Sequence, residues 1–294
     1  MAKKTIVIST GVVLAILILA LGFLGYTFGR QVHGQYFDSA GVQIHYTDQG
    51  VGIPVILVHG YSANSDLNWR LPGILPRLQE HFRVITMDVR GHGLSDKPHD
   101  PSKYGIEMVK DVHRLMDHLK IPKAHLVGYS MGGFITLKFT AMYPERLISS
   151  MPCGAAWMTP SDPLHNLLTA IHNDMTGDNS HAAGIRSIRA SLQRSVFEAV
   201  LDLDALGYVA DRFKDLAVSE EELRAITISV MAVKGGEDEV VLGGGDIKAV
   251  LPGFQETIIP GGGHNSVLFS SKFRETIVDF LLTHSPEVLA GCPE

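Results

Sequence analysis

Cysteine is scarce in this chain: 294 residues hold only two, Cys153 and Cys292, far apart in sequence. That excludes a disulfide framework and a cysteine-rich zinc site. An excess of positive charge is missing as well. The 25 Lys and Arg residues stand against 31 Asp and Glu, a formal net charge of -6, so the overall balance gives nucleic acid no electrostatic reason to bind. Histidine is plentiful, with 14 residues. Yet pairs such as His113 and His118 lack the i, i+4 spacing of a His-Glu-x-x-His helix, and neither a metal nor a cofactor is expected.

Charge is absent altogether from Thr5 to Gly29, where Val, Ile, Leu, Ala and Phe dominate. At about 1.5 Å per residue, such a helix would cross the roughly 30 Å hydrocarbon layer. A cleaved signal peptide ending near Ala20-Leu21-Gly22 is the competing reading, but its apolar region would be only about 7 to 15 residues long. Lys3 and Lys4 precede the run and Arg30 follows it. The positive-inside tendency then puts the short N-terminus in the cytoplasm and the rest of the chain on the non-cytoplasmic side. The expectation is a single-pass N-terminal membrane anchor over residues 1–30.

Beyond Arg30 the pattern is that of a globular protein long enough to bury a large core. Tyr36 to Asp38 and Val42 to Asp48 alternate around Ser39-Ala40-Gly41, which predicts a hairpin. Val55 to Val58, Arg83 to Met87, Ala124 to Tyr129 and Ile228 to Val233 are short apolar runs rich in branched residues, as buried parallel strands are. Val109 to Leu119 and Met131 to Tyr143 carry helical spacing. Strands alternating with helices argue for an α/β fold with a doubly wound sheet. Between about Pro152 and Ala225 the pattern turns helical, with Ile185 to Leu206 and a capping box at Ser219 to Glu222. The expected organisation is a core over 31–151 and 226–294, interrupted by a helical insertion at 152–225 that lies over the site as a cap or packs at the periphery.

Gly128-Tyr129-Ser130-Met131-Gly132 is a G-x-S-x-G directly after an apolar run and directly before a helical one. A serine on a sharp strand-to-helix turn presents its hydroxyl above the sheet. A glycine-rich turn with an incidental serine is the plainer reading. A hydroxyl needs an adjacent base, and the base needs an orienting acceptor. His264, in Gly261-Gly262-Gly263-His264-Asn265 after the strand-like run Glu256 to Ile259, is the candidate base. Asp238, just past the strand ending at Val233, is the candidate acceptor, with Glu237 and Asp246 as chemically possible substitutes. The backbone amides of Tyr61 and Met131 are the expected oxyanion donors, and His59 is read as a brace for the turn.

Taken together, His59-Gly60-Tyr61, Asp88 to Asp96, Gly128 to Gly133, Gly235 to Asp238 and Gly263-His264 resemble the α/β-hydrolase superfamily in order and spacing, from about residue 36 to 283. The resemblance implies a mostly parallel eight-stranded sheet with helices on both faces and a small helical cap after the sixth strand. It also implies that Arg90 and His92 belong to a scaffold loop. Serine at position 130 argues against epoxide hydrolases and haloalkane dehalogenases, which carry aspartate there. Carbon–carbon bond hydrolases usually have further glycines after the His-Gly pair, where this chain has Tyr61-Ser62-Ala63-Asn64. Perhydrolases carry similar patterns. The expectation is a serine hydrolase acting on a small-molecule ester or acyl substrate. A carbon–carbon bond or lactone hydrolase and a non-catalytic ligand-binding protein on the same scaffold are the alternatives. Trp157, Met158 and Phe197 either line an acyl pocket or belong to the core.

Overall fold

The computed structural model describes Val32 and residues 34–177, 194–239 and 245–285. Eight strands form one sheet: β1 (Gln35–Asp38), β2 (Gln43–Gln49), β3 (Pro54–Val58), β4 (Arg83–Met87), β5 (Ala124–Tyr129), β6 (Leu147–Cys153), β7 (Ser229–Gly235) and β8 (Gln255–Ile259), in the order β1-β2-β4-β3-β5-β6-β7-β8. β2 pairs antiparallel with β1 and β4, and the other neighbours are parallel. This is the mostly parallel eight-stranded sheet that the sequence resemblance implies.

The central strands are apolar on both faces because helices cover both. Val55 and Leu57 of β3 pack with Ile74, Leu75 and Leu78 of α1 (Ile74–Gln79) and with Phe273 and Ile277 of α8 (Ser271–Thr283). Ile56 and Val58, one residue out of phase, face Met108, Val112 and Leu115 of α2 (Ile106–His118) and Phe134 and Ile135 of α3 (Met131–Met142). The period-2 alternation of the strand thus divides two apolar cores.

β6 is the strand that apolar patterning does not single out, since Leu-Ile-Ser-Ser-Met-Pro-Cys mixes serines and a proline into the run. Its polar side chains are satisfied in place. Ser149 lies 2.7 Å from His125 Nδ1 and Ser150 lies 2.7 Å from Thr140 Oγ1. β7 pairs with β6 only at Ser149–Ser229 and Ser150–Val230, so Pro152 breaks no ladder bond on that side. After β6 the chain leaves the sheet and, where described, runs through α4 (Leu167–Thr176), α5 (Leu203–Asp211) and α6 (Glu220–Arg224) before returning as β7. Ser219 and Glu222 form the capping box of α6. Residues 185–193 of the expected helix lie outside the described residues. So does Cys292, while Cys153 is a buried free thiol.

The expected membrane anchor, and with it the membrane location, are corrected. No helix among the described residues is long and apolar enough to cross a membrane. The longest, α2 and α8, have 13 residues each, about 20 Å against a hydrocarbon layer of roughly 30 Å. Residues 1–30 lie outside the described residues.

His125 on β5 bears on stability. Ser285 donates to the Leu281 carbonyl and therefore accepts from His125 Nε2, leaving Nδ1 to accept from Ser149. This pattern needs a neutral ring, and burial, with His284 nearby, lowers its pKa from 6.5 to about 4. The unfolded chain takes up this proton first, so the contribution is complete above about pH 6.5 and is lost progressively as the pH falls toward 4, reaching roughly 3 kcal/mol. Thermal melts of the wild type should therefore lose Tm between pH 6.5 and 4 more steeply than those of His125→Gln. Parallel curves would show that His125 titrates normally.

Candidate active site

Sequence forces an abrupt turn where β5 becomes α3. Ser130 is the single residue between them and takes φ 55° and ψ -120°, a region in which a side-chain-bearing residue is strained. Its amide donates to the Cys153 carbonyl (3.0 Å), and its own carbonyl accepts from Gly133 (2.8 Å) and Phe134 (3.1 Å). Glycine is required on both sides. A Cβ on Gly128 would stand 2.0 Å from the Gly132 carbonyl oxygen, and one on Gly132 would stand 2.1 Å from that of Val58. The helix can therefore start directly against β3 and β5, with its N-terminus at the serine.

Two loops at the same edge of the sheet deliver the partners. His264 follows β8 and places Nε2 2.9 Å from Ser130 Oγ. Its Nδ1 lies 2.9 Å from both carboxylate oxygens of Asp238, which follows β7 and is buried. A carboxylate accepts only, so Nδ1 carries the proton and Nε2 is left to accept from the serine. Glu237 is exposed, and Asp246 is exposed and caps the short helix α7 (Ile247–Val250) through the Lys248 amide. Asp238 is thus the carboxylate that meets His264.

Tyr61 and Met131 flank the serine as the first residue past the Gly60 turn and the first residue of α3. Both are buried, and neither amide donates to another backbone group among the described residues. His59 faces away from the reaction zone: its Nδ1 donates to the Gly60 carbonyl (2.7 Å) and its Nε2 accepts from the Val89 amide (3.0 Å). Both nitrogens are used in bracing the turn, and burial holds its pKa below the usual histidine value. Arg90 is buried too, fixed by Asp111 through Nε (2.7 Å) and Nη2 (2.5 Å). His92 packs edge-on to His59 and Tyr61, and burial drops its pKa to about 3. Trp157 donates to the Val218 carbonyl (2.8 Å) and sits in a packed cluster with Leu137 and Leu223. Met158 belongs to the main core, and Phe197 packs against that core.

Two contributors escape sequence reasoning. The hydroxyl of Tyr129, the residue before the nucleophile, donates to the His264 backbone carbonyl, and its ring lies 5.4 Å from the imidazole. Asn68, on the π-helical turn Asp66–Arg70, accepts the Gly60 amide at 2.6 Å. Proximity to a G-x-S-x-G motif hints at the first, and nothing in the sequence hints at the second.

Residues 53–198 match a family model described as the alpha/beta hydrolase fold. A 2-hydroxymuconate semialdehyde hydrolase of Pseudomonas sp. (strain CF600) is 28% identical over 228 residues, which cover 71% of this chain and 78% of that protein. Among solved structures, a meta-cleavage product hydrolase from Pseudomonas fluorescens IP01 matches with a TM-score of 0.66 at 25% identity, covering 85% of this chain and 98% of that one. An N-acyl homoserine lactone degrading enzyme matches with a TM-score of 0.66 at 26% identity, covering 84% of this chain and 100% of that one.

The Asp238–His264 contact has its own signature. The Nδ1 proton shared with the carboxylate should resonate far downfield in the proton NMR spectrum of the protein. Asp238→Asn, which offers an amide in place of the paired acceptors, should abolish that resonance while preserving the fold. Its survival in the variant would place the proton elsewhere.

Proposed function

The chain belongs to the α/β-hydrolase superfamily, and we propose that it is a serine hydrolase of carboxylic esters, lactones included, acting through an acyl-enzyme. The supporting observation is the continuous hydrogen-bond chain from Ser130 Oγ through His264 to Asp238. His264 Nε2 takes the serine proton as Oγ attacks the carbonyl carbon. The charged imidazole that results is stabilised by Asp238 and gives its proton to the departing alkoxide. The oxyanion is held by the amides of Tyr61 and Met131, each donor contributing on the order of 3 kcal/mol to the barrier reduction. Water then attacks the acyl-serine with His264 again as base. Residues 31–151 and 226–294 serve as the catalytic core, with 152–225 as the cap above it, and a small ester or acyl compound is the substrate.

The names of two relatives favour a second reading, carbon–carbon bond hydrolysis by the same three residues. The loop after Gly60 tells against it, since Tyr61-Ser62-Ala63-Asn64 adds no further glycine.

Hydrolysis of a chain-length series of nitrophenyl esters, compared between wild type and Ser130→Ala, tests the proposal. Removal of the nucleophile should lower kcat by a factor on the order of 10⁶. Folded wild type that ignores every ester yet consumes 2-hydroxymuconate semialdehyde would move the assignment to the second reading.

A further inference from the structure

Tyr61 does two things at once. Under the proposed function its backbone N–H is an oxyanion donor, and the role inferred for its side chain rests on that proposal. The side chain points the other way, into the helical insertion, where the hydroxyl lies 3.1 Å from the Leu206 carbonyl on α5 and 3.2 Å from His172 Nδ1 on α4. A phenol has one proton to give. With the carbonyl accepting it, His172 must present Nδ1–H to the phenol oxygen, so a single hydroxyl joins both helices. The joint is built tightly. Tyr61 is 8% exposed, its ring meets His92 edge-on, and a Cβ on Gly207 would come within 3.3 Å of His172 Nε2.

The loop is pinned from the core side as well. The Gly60 amide is held by Asn68 Oδ1 at 2.6 Å, and Ser62 on the far side of Tyr61 is a non-glycine residue at φ 52°. A loop fixed at Gly60 and strained at Ser62 has little freedom to absorb a displacement of the tyrosine between them. Any movement of α4 and α5 that carries the hydroxyl is therefore passed to the Tyr61 amide.

We infer that Tyr61 is a positioning and specificity-determining residue that couples the seating of the insertion to the geometry of the oxyanion site. A substrate small enough to leave α4 and α5 in place meets a well-aimed donor. A substrate bulky enough to lift them binds, but its oxyanion meets a displaced one. Oversized acyl groups are then rejected in kcat rather than in KM.

The experiment measures kcat and KM separately for nitrophenyl esters of increasing acyl length with wild type, Tyr61→Phe and Ser130→Ala. Tyr61→Phe keeps the ring and the backbone amide and removes only the hydroxyl. It should lower kcat on the shortest esters roughly 3- to 10-fold, as loss of the hydroxyl's two neutral hydrogen bonds is passed in part to the amide, and flatten the fall of kcat with acyl length while KM tracks wild type. A short alkyl boronic acid, which adds to the serine and mimics the oxyanion, should bind Tyr61→Phe more weakly by the factor lost in kcat/KM on the short ester. His172→Phe removes the α4 half of the joint, leaves the bond to the Leu206 carbonyl, and should flatten the same profile in part, which guards against a folding defect in the first variant. Serine-dependent turnover whose kcat profile stays parallel to wild type in both variants overturns the coupling alone. Absence of Ser130-dependent ester turnover overturns both the coupling and the esterase reading.

Discussion

A serine held at φ 55° and ψ -120° is strained by on the order of 1–3 kcal/mol, so the structure around it must hold it there. The central strands do so. β5 is buried along its whole length between β3 and β6, the Cys153 carbonyl at the end of β6 takes the serine amide, and α3 starts so close to β3 that only glycine fits at position 132. If β6 lost its register by one residue, the acceptor for Ser130 would be gone and the turn would relax. The two apolar cores therefore do more than stabilise the sheet, because their packing fixes the conformation from which the hydroxyl projects.

The loops that bring His264 and Asp238 depend on the same frame. Glu237 donates its amide to the Gly262 carbonyl, and Gly236 donates to Ile259, so the two loops are stitched to each other before either side chain reaches the serine. Tyr129 adds a tie from β5 to the His264 backbone. Three chain segments far apart in sequence thus move as one body, which is the condition for short, aligned contacts.

Much of this was legible in the sequence, unevenly. Branched apolar runs marked β3, β4, β5 and β7 because strands buried on both faces need them, and the hairpin of β1 and β2 showed in its alternation. β6 did not show, because its serines are satisfied by His125 and Thr140, partners that periodicity cannot supply. Motif order located Ser130, Asp238 and His264, which meet at 2.9 Å. Sequence left Glu237 and Asp246 as possible substitutes for Asp238, and burial sets Asp238 apart from both. The roles of Asn68 under Gly60 and of the Tyr61 hydroxyl under α5 left no trace, since a hydrogen bond between residues 145 positions apart has no local pattern. The uncharged run at 5–29 was legible as apolar, and it lies outside the described residues.

The narrow seam between β6 and β7 has a consequence for how this protein can change over evolutionary time. The chain leaves the sheet at Cys153, the end of β6, and rejoins it at Ser229, the start of the neighbouring strand β7, which pairs with Ser149 near the other end of β6. Everything between is a detour whose two ends are already fixed by the core. Closing such a detour depends only weakly on its length: doubling it would cost about 0.6 kcal/mol. Chain closure therefore sets little limit on the length of the insertion, so descendants of this chain can extend it while inheriting the sheet and its turn unchanged.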